Sequence, residues 1–396
     1  MKVISLLLIV FFTVSVSAQT IEVAAGAYER FNTPITVRLN KPLPAHTGYQ
    51  VVNTATGITA PAQLLDSNTL VFILPEKILP GNKARYRLKP VAVDPSKYPV
   101  KVEQEPAGLM VLVKGQPLLF YHTKEASPPA DSPAYYSRSG FIHPLFSPNG
   151  KILTDDFPAG HTHQHGIFHA WVNTSFKKSF VDFWNQHIKT GNVEHLEVLR
   201  VVEGPVLAEV QLLLRYTSFQ HGEILREKWT LRFYPYNRHY LFDCYLEQVN
   251  TTPDTLYLNK YHYGGMALRG SRQWNPADSL HYKTNWHVLT SEGARDADAN
   301  HTHARWVDAY GIIDGAVAGV TVYDHPSNFR YPQPVRVHPS MPYWVYAPMV
   351  DGAFTINPGG TYRAQYRYFV HDGTTDKRTL EAIAADWTEP AVATMQ

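Results

Sequence analysis

Three histidines recur at every second position in His161-Thr162-His163-Gln164-His165. On an extended strand this spacing puts the imidazoles on one face, with neighbouring side chains roughly 6 to 7 Å apart at the backbone. Imidazole is a common ligand for zinc, copper, iron and nickel, and a His-x-His pair with one remote ligand builds an open metal site. His161 and His163 are therefore candidate ligands for a single divalent transition metal. Neutral imidazoles can instead bond ligand hydroxyls or move protons near neutral pH, and a purely structural cluster is the third reading. Asp155 and Asp156, just upstream, could orient the rings.

Acid–base chemistry on a small molecule needs partners for these rings. With His161, His163 and His165 as catalytic candidates, Asp182, Asp308 and Asp324 are the acidic ones. Aromatic rings stack on sugar faces, which makes Trp171 and Trp184 candidate binding residues. Arg305, His325, Asn328 and Arg330 could hold hydroxyls or a carboxylate. Three of these four fall in Asp324-His325-Pro326-Ser327-Asn328-Phe329-Arg330-Tyr331-Pro332, after the largely apolar run 318–323. A binding loop at a sheet end and a well-bonded structural turn are equally open there. A second His-Thr-His, His301 to His303, follows an acidic stretch that reads as solvated surface.

The elements that would carry these side chains read as strands. Val206, Ala208, Val210, Leu212, Leu214 and Tyr216 form one apolar face at period two. Lys228 to Phe233 and Tyr240 to Leu246, separated by Pro235-Tyr236-Asn237-Arg238, read as consecutive antiparallel strands. Cys244, the one cysteine, sits between Phe242 and Leu246 on an alternating stretch and is expected to be buried. The convincing helix is C-terminal, where Asp376 could cap Leu380, Ile383, Ala384 and Trp387. From Ile21 to about Leu88, short β-type runs suit a small immunoglobulin-like β-sandwich. Pro90, Pro95, Pro99 and Pro106 then fall close together, which places a boundary near residue 107. The expected division is a signal peptide over 1–18, a small domain over 19–107 and a large site-bearing domain over 108–396.

The signal rests on Lys2, the mostly apolar run from Val3 to Val14, and Ser15-Val16-Ser17-Ala18. Cleavage after Ala18 would deliver the chain to the periplasm or medium. No later run is long and apolar enough to span a bilayer. Lys plus Arg number 36 against 34 Asp plus Glu, without a basic run, which argues against nucleic acid as a partner. With 19 His, 24 Tyr and 8 Trp, a small carbohydrate or glycoside fits better. Oligomeric state is not legible.

The runs His161-Thr162-His163-Gln164-His165-Gly166, Asp182-Phe183-Trp184, Arg305-Trp306-Val307-Asp308, Asp324-His325-Pro326-Ser327-Asn328 and His371-Asp372-Gly373 resemble, in order and spacing, a bacterial secreted family catalogued as methane oxygenase PmoA-like, over about residues 108–390. The resemblance implies an all-β fold whose large domain is an antiparallel supersandwich of galactose-mutarotase-like architecture. It does not imply a membrane methane monooxygenase, which needs several spans. It also implies that the histidine run, Arg305 and the loop from Asp324 to Arg330 share one pocket. The functional expectation is an exported carbohydrate-active enzyme with glycoside hydrolase, lyase or epimerase-type chemistry. A non-catalytic glycan-binding protein is the alternative.

Overall fold

The computed structural model describes residues 19–45, 47–283 and 285–396, so the expected signal segment lies outside the described residues. The fold is all-β, made of antiparallel sheets with a single α-helix among the described residues. Two compact units divide the chain: one holds the N-terminal part to Val93 together with 391–396, the other runs from Asp94 to Pro390.

The small unit is a seven-stranded sheet whose order begins at Pro34–Arg38 and ends with Lys83–Val91, Thr20–Ala24 and Val392–Met395. Alternating apolar residues give it a core of its own, including Ile21, Val23, Ile35, Val37, Val51, Leu70, Phe72 and Tyr86. The boundary expected near residue 107 is corrected on two counts. Val100–Glu105 pairs with Gly108–Val113, with Glu105 opposite Gly108, so Pro106 and Ala107 form a hairpin turn inside the large unit. The chain end returns to the small unit, with Ile21 opposite Met395.

The large unit contains two eight-stranded antiparallel sheets and a four-stranded one around one continuous core. In the first, Gly191–Val202, Ala208–Ser218, Gly222–Tyr234, Tyr240–Asn250 and Thr361–Asp372 lie side by side. Val210, Leu212, Leu214 and Tyr216 point inward at period two, as their spacing predicts. Lys228–Phe233 and Tyr240–Leu246 pair antiparallel, with Phe233 opposite Phe242. Cys244 is buried and reduced, and burial raises its thiol pKa well above the ordinary range. The second sheet aligns Tyr343–Tyr346, Gly265–Arg269, Ile167–Ala170, Ile142–Leu145 and Gln116–His122 in that order. The helix Lys377–Thr388 starts at Asp376, whose carboxylate accepts from the Thr379 N–H at 2.9 Å, and buries Leu380, Ala384 and Trp387. No described helix is long and apolar enough to cross a membrane.

Candidate functional site

The histidine run is not a strand. Between Asp156 and His165, which face each other in an isolated antiparallel bridge, the chain forms a compact loop. Within it His161 N–H donates to Pro158 O at 3.0 Å and Gln164 N–H to His161 O at 2.9 Å. Pro158 restricts the backbone, and Phe157 and Gly160 take positive φ of 49° and 81°. Extended geometry resumes at Ile167, after Gly166, where a Cβ would lie 2.0 Å from the Ile142 carbonyl oxygen. That glycine lets the strands approach and fixes how far the loop stands from the sheet.

The three imidazoles consequently separate. His161 and His163 face a common cavity of about 180 Å³, lined also by Gln164, Val172, Trp184, Asn185, Tyr261, Tyr263, His338 and Tyr343. Their ring centroids are 5.6 Å apart, His338 lies 5.4 Å from His161, and His187 lies 5.6 Å from His163. His165 turns into the core: it is fully buried, its Nδ1 is 2.5 Å from Asp156 Oδ1, and Phe141, Phe157 and Phe168 surround it. Its role is to hold the base of the loop. The expectation that an upstream aspartate orients a histidine is met by this Asp156–His165 contact.

Burial is the largest cause lowering the pKa of the cavity imidazoles. His163 is pushed down to about 3 by desolvation and, after it, by His161, His187, His165 and Arg269. His338 is pushed down to about 4 by desolvation, then His161, Arg336 and Arg269. His161 shifts the same way from desolvation and Arg269. These rings are therefore neutral near pH 7, each with one donor and one acceptor nitrogen. Neutral imidazole is also the metal-binding form, but among the described residues no three His, Cys, Asp or Glu side chains are placed to hold an ion.

Asp182 does not line the cavity but builds its wall. Its carboxylate accepts from the backbone N–H of Trp184 at 2.8 Å and of Asn185 at 2.7 Å, and from Asn185 Nδ2 at 2.9 Å. That turn presents Trp184 and Asn185 to the cavity, with Trp184 packed on Phe168 and Tyr263. Trp171, the other stacking candidate, is a core residue whose indole N–H donates to Gln248 Oε1 at 2.6 Å.

The remaining candidates are built into structural networks, and none lines the cavity. Asp308 is buried in a strand, accepting from Thr321 Oγ1 at 2.9 Å and lying 3.1 Å from His371 Nε2. Arg305 grips Glu381 of the helix through two bonds of 3.0 and 3.2 Å. Asp324 caps its own loop, accepting from the N–H groups of His325 and Gln333 and from Asn328 Nδ2. Desolvation raises the Asp324 carboxyl to about 7 against those bonds. Asn328 exchanges bonds with the Gln365 backbone, His325 contacts Ser327 and Gln365, and Arg330 donates to the carbonyls of Pro348, Gly352 and Ala353. The loop is the well-bonded turn, and the single-pocket grouping with Arg305 is corrected.

His338, Tyr261, Tyr263 and Tyr343 were not singled out from the sequence, although Tyr261-His262-Tyr263 before Gly264-Gly265 is a visible aromatic cluster. A second cavity, of about 430 Å³, lies on the other side of the loop, lined by Asp131, Asp155, Asp156, Thr162, Arg272, Asn275 and Asp278 among others. Alternate residues of one turn thus serve two cavities: His161 and His163 face one, Gly160 and Thr162 the other.

A family model described as a family of unknown function, DUF6807, matches residues 108–385. No curated protein matches the chain.

Proposed function

We propose, from the premise that this chain belongs to DUF6807, a family of unknown function, that the His161–His163 cavity binds a single sugar ring and that the protein is an exported carbohydrate-active enzyme. The observation that carries the reading is the lining: an indole and three phenol rings stand with three imidazoles and two amides around one space. Aromatic faces pack on the apolar side of a sugar, and neutral imidazoles and amides offer both donors and acceptors to hydroxyls. At about 180 Å³ the space is smaller than the ~300 Å³ at which drug-sized sites begin, which suits one ring.

Hydrolysis by a carboxyl pair finds no support here, because no Asp or Glu is in the lining. The lining favours proton transfer at a carbon beside a carbonyl, as in epimerisation or elimination. His163 would remove the C–H proton as a neutral base, and the imidazolium so formed would return it to carbon or to the leaving oxygen, directly or by relay through His161. The signal read at 1–18 supports action outside the cytoplasm, and a native N-terminus at Gln19 is the result expected from sequencing.

The direct test is exchange of substrate C–H for deuterium, followed by proton NMR over a panel of aldoses, keto-sugars and their glycosides. Exchange that disappears in His163→Ala supports the enzyme. Saturable binding of sugars without exchange or turnover supports the second reading, a non-catalytic glycan-binding protein, which the low proton affinity of His163 favours. Absence of any sugar binding overturns both.

A further inference from the structure

The charge around the cavity is one-sided. No carboxylate is in the lining, whereas Asp131, Asp155, Asp156 and Asp278 line the cavity across the turn. Two guanidinium groups lie close behind the wall. Arg269, fully buried, donates from Nη1 to Gln164 Oε1 at 3.0 Å, and its Nε and Nη2 have no hydrogen-bond partner. Arg336 lies over the Tyr263 ring at 5.0 Å, its Nη1 bonded to Asn300 Oδ1 and the Val337 carbonyl and its Nε without a partner. Both therefore bond neutral oxygens. The carboxyl that acts most on Arg269 is Asp155, in the other cavity and itself raised to about 6 by burial.

The unused hydrogen-bonding groups have the same sense. Gln164 Oε1 is taken by Arg269, which leaves the amide N–H groups of Gln164 as what it can offer a ligand. The Tyr343 hydroxyl is buried without a partner, and so is His161 Nδ1. A cavity with donors in its wall, positive charge behind it and no carboxylate within it stabilises a negative ligand group by direct bonds and by field.

We infer that the ligand is a sugar acid, a ring bearing a carboxylate of the uronate type, with its anion toward the side formed by His161, His338 and Tyr263. This rests on the sugar-binding reading and adds the substrate class. A carboxylate beside imidazoles held near 3 and 4 moves them back toward the range where they exchange protons at neutral pH.

Calorimetric titration of the purified full chain with glucuronate and galacturonate, against glucose and galactose, tests the inference. The acids should bind about tenfold more tightly than the neutral sugars, the scale of one charge-assisted contact. Arg336 is partly exposed, so Arg336→Gln should fold and bring that ratio close to one. Equal affinities in the unaltered protein, or a preference that Arg336→Gln leaves unmoved, would overturn the sugar-acid inference while the sugar reading stands. Acetate binding as tightly as the uronates would overturn it too, by removing the need for the ring. If neither acidic nor neutral sugars bind, both claims fall.

Discussion

Three histidines at the same spacing do two different jobs, and substitution can tell them apart. His163 faces a cavity with its ring among other imidazoles, whereas His165 is fully buried against Asp156, Gln186 and three phenylalanines. His163→Ala should abolish ligand-dependent signals while shifting the melting temperature by no more than ~2 °C, since a cavity-facing ring makes few core contacts. His165→Ala should cost about 2–3 kcal/mol, because it opens a void and leaves the Asp156 carboxylate short of a partner. Circular dichroism melts of the two variants decide the matter, and similar destabilisation in both would remove the distinction. Residue type and spacing marked all three as one unit, because period two is only a face if the backbone is extended. Pro158 and Gly160 were the local signal that it is not.

Elements whose burial follows one period were readable; those fixed by cross-chain bonds were not. Val210, Leu212, Leu214 and Tyr216 needed only alternation to be placed, and Asp376 only its position before an apolar helical stripe. Asp182 and Arg305 looked like chemistry because a carboxylate can partner histidines in acid–base steps and a guanidinium can hold hydroxyls or a carboxylate. What they do is hold elements: Asp182 closes the turn that presents Trp184 and Asn185, and Arg305 ties a strand to the helix through Glu381. Asp182→Ala should weaken ligand binding several-fold and cost about 1–3 kcal/mol, having left two backbone N–H groups unpaired. Asp182→Asn, which keeps an acceptor oxygen, should recover much of both. Arg305→Ala should instead leave ligand affinity unchanged and lower stability by about 1 kcal/mol, as expected for a half-exposed ion pair. Loss of binding in Arg305→Ala, measured by the same titration, would return that residue to the site.

At the scale of the whole molecule, the cavity is assembled from segments near residues 161–164, 184–185, 261–263 and 338–343, whose convergence depends on which strands are neighbours. Local pattern carries no such information, which is why His338 and the three tyrosines of the lining escaped the sequence. The two units divide at Val93 and Asp94, inside the proline cluster, while Pro106 lies in a hairpin turn of the large unit, since a proline serves a hairpin turn as readily as a linker.

The large unit also holds several imidazoles largely out of water, and this sets how its stability responds to acid. Desolvation is the leading cause that pushes His143, His195, His239 and His338 to about 4 and His163 to about 3. In an unfolded chain each would titrate near 6.5. A histidine with a depressed folded pKa contributes stability that is present above 6.5 and is lost as pH falls, because the unfolded chain takes up the proton first. Two carboxyls act in the opposite sense: burial raises Asp155 to about 6 and Asp324 to about 7, so between about 4 and those values the folded state holds the extra protons. Near pH 5 the balance is roughly five protons favouring unfolding minus two opposing it, or about three taken up on unfolding. Above 6.5 the sign reverses, since the bond and charge of Asp308 outweigh burial and hold His371 above its ordinary value. The large unit should therefore be most stable near neutrality, and its melting temperature should fall steadily from pH 6.5 to 4. His239→Gln, which removes one buried titrating ring, should flatten that slope by about one proton. Calorimetric melts across this range measure it directly, and a melting temperature independent of pH between 4.5 and 6.5 would show that these imidazoles are not held neutral by the fold.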